Sequence, residues 1–115
     1  MLTIKTKFGD LKIREADRNG EYELLDSDDK IMFFACDFSF IYDQVERLNQ
    51  VEHVSDWLKE FEGVCWGSKQ NCLDFARDYA ESNDRKFDKN WALDNINRIG
   101  DTYFLFDYGD AYLDD

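Results

Sequence analysis

The hydrophobic period of this chain changes between Cys36 and Phe40, and that change limits the folds open to it. Before it, apolar residues mostly alternate with polar ones. Beyond it they recur every three or four positions. Alternation marks strands, and a 3.6-residue period marks helices that bury one stripe. Strands followed by helices point to an α+β architecture rather than an alternating parallel sheet. The expectation is an N-terminal antiparallel β-meander, then three or four short helices and a C-terminal strand. At 115 residues, with no repeat or low-complexity linker, the chain reads as a single domain over 1–115.

The meander follows from its turn residues. Leu2, Ile4 and Phe8 share one face, opposite Thr3, Lys5 and Lys7, and Leu11 with Ile13 resumes the alternation after Gly9-Asp10. Gly-Asp suits a II′ turn, and Asn19-Gly20 suits a I′ turn, whose two central residues need positive φ. A third strand is expected from Glu21 to Leu25. Asp26-Ser-Asp-Asp29 then turns into a fourth, Lys30 to Cys36, whose run Ile31-Met-Phe-Phe34 is apolar on both faces and is expected to lie beneath helices.

Ile41, Val45 and Leu48 predict a first helix beginning near Phe40. Val51, Val54, Leu58 and Phe61, at offsets 0, 3, 7 and 10, predict a second that carries Trp57 and stops at Gly63. Ser68 is a good N-cap for a third, with Cys72, Phe75, Ala76, Tyr79 and Ala80 as its buried stripe. A fourth is expected from Asp88 to Asn97, burying Trp91 or Ala92, Leu93 and Ile96. Gly100 is its stop, and Thr102 to Phe106 is the closing strand.

Charge narrows the function. The chain holds 26 acids against 14 bases, a net −12, yet 17% of its residues are aromatic and 43% are hydrophobic. It therefore has the apolar content to fold, unlike acidic disordered chains. Residues 1–35 contain 8 acids and 6 bases, whereas residues 36–115 contain 18 and 8. Such a surplus disfavours direct binding to nucleic acid or to an anionic membrane. No apolar run approaches the roughly 18 residues of a membrane span, and the alternating N-terminus does not read as a secretory signal. Cys36, Cys65 and Cys72 form no CxxC and read as reduced thiols, so a cytosolic compartment is expected.

Catalytic signatures are sparse. His53 is the sole histidine, and with Glu52 and Asp56 beside it reads as a solvated side chain rather than part of a triad or an HExxH site. Trp66-Gly-Ser-Lys69 has only the last letters of a phosphate-binding loop. Asp26-Ser-Asp-Asp-Lys30 opens like a calcium loop, but Ile31 stands where the loop requires glycine and Asp37 where it requires glutamate. Cys65 and Cys72, with no histidine near them, read as core thiols rather than zinc ligands. No metal, cofactor or enzymatic activity is therefore expected, although 26 acids always leave some carboxylate pair available to a small hydrolase.

The arrangement of the acids remains. Glu52, Asp56 and Glu60 are spaced i, i+4, i+8 on the expected second helix. Asp74, Asp78 and Glu81 are spaced i, i+4, i+7 on the third. Like charges at these spacings destabilise a helix by a few tenths of a kcal/mol per pair, so they do not serve the helix itself. Neighbouring carboxylates would stand about 6 Å apart, close to successive phosphates on a DNA strand, whose axial rise is about 3.4 Å before winding is added. Aromatics alternate with acids from Asp101 to Tyr112, and Asp107, Tyr108, Asp110 and Tyr112 are candidate partner contacts. The plainer reading is that the acids only keep the chain soluble.

Phe61-Glu-Gly-Val-Cys-Trp-Gly-Ser-Lys-Gln-Asn-Cys-Leu-Asp-Phe-Ala-Arg-Asp-Tyr-Ala-Glu81 resembles part of the ArdA-type antirestriction family, with its aromatic and glycine-containing stretch before an acidic Phe-Ala-x-x-Tyr-Ala helix. Trp91-Ala-Leu-Asp-Asn-Ile-Asn-Arg-Ile-Gly-Asp-Thr-Tyr-Phe-Leu-Phe106 is similar to that family's next helix, Gly-Asp turn and strand. The resemblance implies a phage or mobile-element protein that mimics DNA and fills the DNA groove of a type I restriction-modification enzyme. The chain is shorter than family members, and its meander has no obvious counterpart there, so the target can equally be a CRISPR effector. An acidic immunity protein against a basic nuclease toxin is the alternative. In each case the partner is a basic DNA- or RNA-binding protein, and the sequence leaves both monomer and homodimer open.

Overall fold

A computed structural model describes residues 1–17 and 20–113. The protein is α+β and divides into two compact units. Unit 1 comprises Met1–Trp57 with Asn97–Asp101, and unit 2 comprises Leu58–Ile96 with Thr102–Asp115. Counted by unit, the charge no longer favours the C-terminal part. Unit 1 carries 14 acids against 8 bases and unit 2 carries 12 against 6, so each has net charge −6.

In unit 1, strands β1 (Leu2–Thr6), β2 (Gly9–Glu15), β3 (Tyr22–Leu25) and β4 (Ile31–Ala35) form an antiparallel meander in the order β1-β2-β3-β4. Thr6 pairs with Gly9, which places the first turn on Lys7-Phe8 rather than on Gly9-Asp10. The Thr6 hydroxyl fixes that turn, donating to the Gly9 carbonyl at 2.6 Å and accepting from the Phe8 N–H at 3.1 Å. In the second hairpin Gly20 takes φ 80°, while Asn19 lies outside the described residues. Strand β4 is the edge of the sheet. Met32 is buried, but Ile31 and Phe34 are exposed, so helix α1 (Phe38–Gln50), which follows, covers only part of the apolar run.

Helix α1 (Phe38–Gln50) packs over this sheet, burying Ile41, Val45 and Leu48 as the period predicts, each worth about 1.5–3 kcal/mol. It starts two residues earlier than expected because the Asp37 side chain caps the Ser39 N–H at 2.9 Å. Strand β7 (Asn97–Ile99) is held to the β3–β4 turn by a polar clasp. Buried Asp26 accepts from the N–H groups of Asp28 and Lys30 through one oxygen, and from Asn97 Nδ2 and the Arg98 N–H through the other. The turn that resembled a calcium loop has its first carboxylate occupied by four N–H donors. Arg98 adds a two-pronged pair to Asp28, at 2.7 and 3.0 Å. Gly100 is required here, since a Cβ would come within 2.9 Å of the Phe8 carbonyl oxygen.

Helix α2 (Val54–Leu58), at the passage between the units, is far shorter than the offsets suggest. Val51 is the extended C-cap of α1, and Phe61 lies past the helix end, where its ring meets Phe106 edge-on at 5.3 Å. The Asp56 side chain, in the third position of the helix, reaches back to accept from the His53 N–H at 3.2 Å and so sets the start at Val54.

In unit 2, β5 (Val64–Gly67) pairs antiparallel with β8 (Thr102–Phe106). The sequence reading had no strand at β5, which lies between two helix signals. Gly67, at φ 136°, turns the chain into helix α3 (Lys69–Ser82), whose N-cap Ser68 accepts from the Asn71 N–H at 3.0 Å. The chain continues through β6 (Lys86–Phe87) and α4 (Lys89–Asn95), then later a 3-10 turn (Tyr108–Asp110) and β9 (Tyr112–Leu113), which pairs with β6. Asp88 caps α4, which ends before Asn97 because that residue belongs to β7 and the Asp26 clasp. Cys65, Cys72, Leu73, Ala76, Ala92, Ile96, Leu105 and Ala111 form the core of this unit.

Candidate partner-binding surface

Helix α3 buries Cys72, Leu73, Ala76 and Ala80, and the 100° step per residue turns Asp74, Asp78 and Glu81 to the opposite side. Asp78 and Glu81 are exposed and Asp74 is half-exposed. The expected buried stripe is corrected at two positions. Phe75 and Tyr79 fall on the flank between core and acids, where they remain 49% and 43% exposed. Tyr108 of the 3-10 turn meets both edge-on, with ring centroids 4.8 Å from Phe75 and 5.1 Å from Tyr79. One face of unit 2 therefore presents a carboxylate row beside an aromatic ledge.

The row is partly neutralised and locally costly. Arg77 Nη1 lies 3.3 Å from Asp74 and Nη2 3.4 Å from Asp78, while Gln70 donates to Asp74 at 2.8 Å. Exposed pairs of this length contribute under about 1 kcal/mol and exchange readily with another cation. Glu81 sits in the last helical turn, which holds no basic residue, so it opposes the helix dipole as well as its neighbour Asp78.

Beyond the ledge, Tyr79, Ala80, Asn83, Arg85, Gly109, Asp110 and Tyr112 line a shallow cleft of about 200 Å³. The Arg85 guanidinium lies over the Tyr112 ring at 4.0 Å. Asp107 is exposed in the left-handed region at φ 54°, and its carbonyl accepts from the Asp110 N–H at 2.8 Å to start the 3-10 turn.

Asp74, Asp78, Glu81, Asp107, Tyr108, Asp110 and Tyr112 thus all belong to unit 2, with Tyr108, Asp110 and Tyr112 gathered beside Tyr79. The second acidic stripe does not form. Glu52 precedes α2, Asp56 is its capping residue, and Glu60 follows it, because one and a half turns cannot carry an i, i+4, i+8 row. Glu52 and Asp56 belong to unit 1 and Glu60 to unit 2. His53 is exposed, with Nε2 3.9 Å from Glu52. Sequence reasoning missed the exposed rings of Phe75 and Tyr79. Their only signal was an offset of three from Cys72 and from Ala76, at the margin of the buried arc.

No known protein family, curated protein or solved structure matches this chain. Among the described residues, no helix is long and apolar enough to cross a membrane.

Proposed function

We propose that this protein is a non-enzymatic inhibitor of phage or mobile-element origin that acts in the bacterial cytoplasm by occupying the nucleic-acid groove of a defence enzyme. The target is a restriction-modification enzyme or a CRISPR effector. The observation that carries this reading is the α3 row, Asp74, Asp78 and Glu81, turned away from the core beside the exposed rings of Phe75 and Tyr79. The row costs the helix stability, which is what a surface kept for a partner tolerates and a surface kept for folding does not. Its spacing of about 6 Å resembles a phosphate strand, and a Lys- and Arg-lined groove would be drawn to it over long range. The likeness of residues 61–106 to ArdA-type proteins agrees with this reading.

The experiment is inhibition of DNA cleavage by a type I restriction enzyme and by an RNA-guided nuclease, with the wild-type chain and with Asp74→Lys/Asp78→Lys. The wild type is expected to inhibit at least one of them. The double variant, folded by circular dichroism, is expected to lose at least tenfold in potency, since it reverses two charges in a close electrostatic contact. Equal potency of the two chains excludes the α3 row as the contact.

A further inference from the structure

The aromatic arrangement of α3 recurs in unit 1. Helix α1 also carries Phe–x–x–x–Tyr, as Phe38 and Tyr42, which are 37% and 41% exposed. A third ring again comes from a neighbouring element. Tyr22 of β3 meets Phe38 edge-on at 5.5 Å, and Phe38 stacks on Tyr42 at 6.2 Å with 23° between planes. Each exposed tyrosine has a carboxylate one position away, Asp43 beside Tyr42 and Asp78 beside Tyr79. In both places an arginine of the same helix holds that carboxylate loosely, Arg47 on Asp43 and Arg77 on Asp78, each at 3.4 Å. Phe38 and Tyr22 also border an open cleft of about 680 Å³ with Met1, Leu2 and Arg14.

We infer that the Tyr22–Phe38–Tyr42 face of unit 1 is a second docking surface, and that, like the α3 surface, it receives arginine side chains of a basic partner. This rests on the inhibitor reading above and deepens it. An exposed ring with an adjacent carboxylate suits a guanidinium better than an ammonium. A planar cation can stack on such a ring, and its fork can pair with a carboxylate of the same surface, whereas lysine offers only a point charge. The chain itself provides the precedent, with the Arg85 guanidinium 4.0 Å above the Tyr112 ring. Charge selects the occupant. A second copy of this chain would bring net −6 against net −6 at unit 1, while a basic partner meets 14 acids against 8 bases. The loose intrahelical pairs of Arg47 and Arg77 are exchangeable for a partner's arginines at little cost.

The probes are nona-arginine and nona-lysine peptides, titrated into the full chain labelled with 15N. Amide shifts are expected around Tyr42 and Asp43 and around Asp78 and Tyr79, with arginine favoured by about threefold at each face. Tyr42→Ser should remove that preference at the first face only, and Tyr79→Ser at the second only. Asp43→Asn leaves the rings in place and should weaken nona-arginine at the first face alone. Shifts confined to the α3 face, or a preference at α1 that survives both Tyr42→Ser and Asp43→Asn, overturn the second surface and leave the inhibitor reading intact. Equal arginine and lysine binding with no preferred face overturns both.

Discussion

Asn97 Nδ2 donates to Asp26 Oδ2 at 2.8 Å, joining residues 71 positions apart in the chain. Asp26 is 1% exposed and Asn97 is 3% exposed, so neither partner has water as an alternative. Both Asp26 oxygens are already filled by N–H donors, two each. Replacement by alanine would take the acceptor from four N–H donors, of which the Asn97 amide is buried and the other three part-buried; a buried unsatisfied donor costs about 1–3 kcal/mol and a part-buried one less. Asp26→Ala is expected to destabilise the protein by about 3 kcal/mol in urea unfolding. Asp26→Asn is expected to be nearly as damaging, because one oxygen becomes an NH₂ group facing two N–H donors. A mild effect of Asp26→Asn would show that the clasp tolerates a neutral acceptor.

Cys65 and Cys72 are buried in unit 2, each sulfur lying against the other residue's carbonyl at 4.0 and 3.9 Å, while Cys36 is exposed. The Cys65 sulfur and burial together push the Cys72 thiol far above its ordinary range, so it stays protonated and unreactive at neutral pH. Iodoacetamide is expected to add one label to the native chain and three after denaturation, read by intact mass. Three labels on the folded protein would contradict the buried placement of the pair.

Ile41, Val45 and Leu48 revealed α1 because three buried positions at offsets 0, 4 and 7 fit only one helix face. Ser68 and Asp88 carry capping side chains on which two helix starts depend. By contrast, Val51 to Phe61 also fitted a helical period, but the Asp56 side chain, bonded to the His53 N–H, began the helix at Val54, and the fit could not report that. Strand β5 is four residues long, too short for alternation to register, and owes its form to β8 some forty positions later. Asn97 looked like the end of a helix because its partner Asp26 is remote in sequence. The acidic row of α3 was legible in full, since i, i+4, i+7 spacing needs only the helix. The exposure of Phe75 and Tyr79 was not legible, because Tyr108 brings its ring to them from the far end of unit 2.

Glu81 should show opposite effects on stability and on function. It opposes the helix dipole in a last turn that lacks any base. Glu81→Lys is therefore expected to raise stability by about 0.3–1 kcal/mol, measured by thermal unfolding at low ionic strength. The same variant is expected to inhibit several-fold less well. If the stability gain came with unchanged potency, Glu81 would lie outside the contact surface.

The central claim is that α3 stands in for a phosphate backbone, and displacement of DNA tests it most directly. Fluorescence anisotropy would follow a labelled duplex bound to a type I restriction enzyme, and to an RNA-guided nuclease, as the acidic protein is added at low salt. The duplex is expected to be released from at least one enzyme at near-stoichiometric protein, less so as salt is raised. Arg77→Gln, which removes the cation paired with Asp74 and Asp78, should displace it at lower concentration. A ternary complex in which the enzyme holds both the duplex and this protein, or no displacement from either enzyme, would contradict the account.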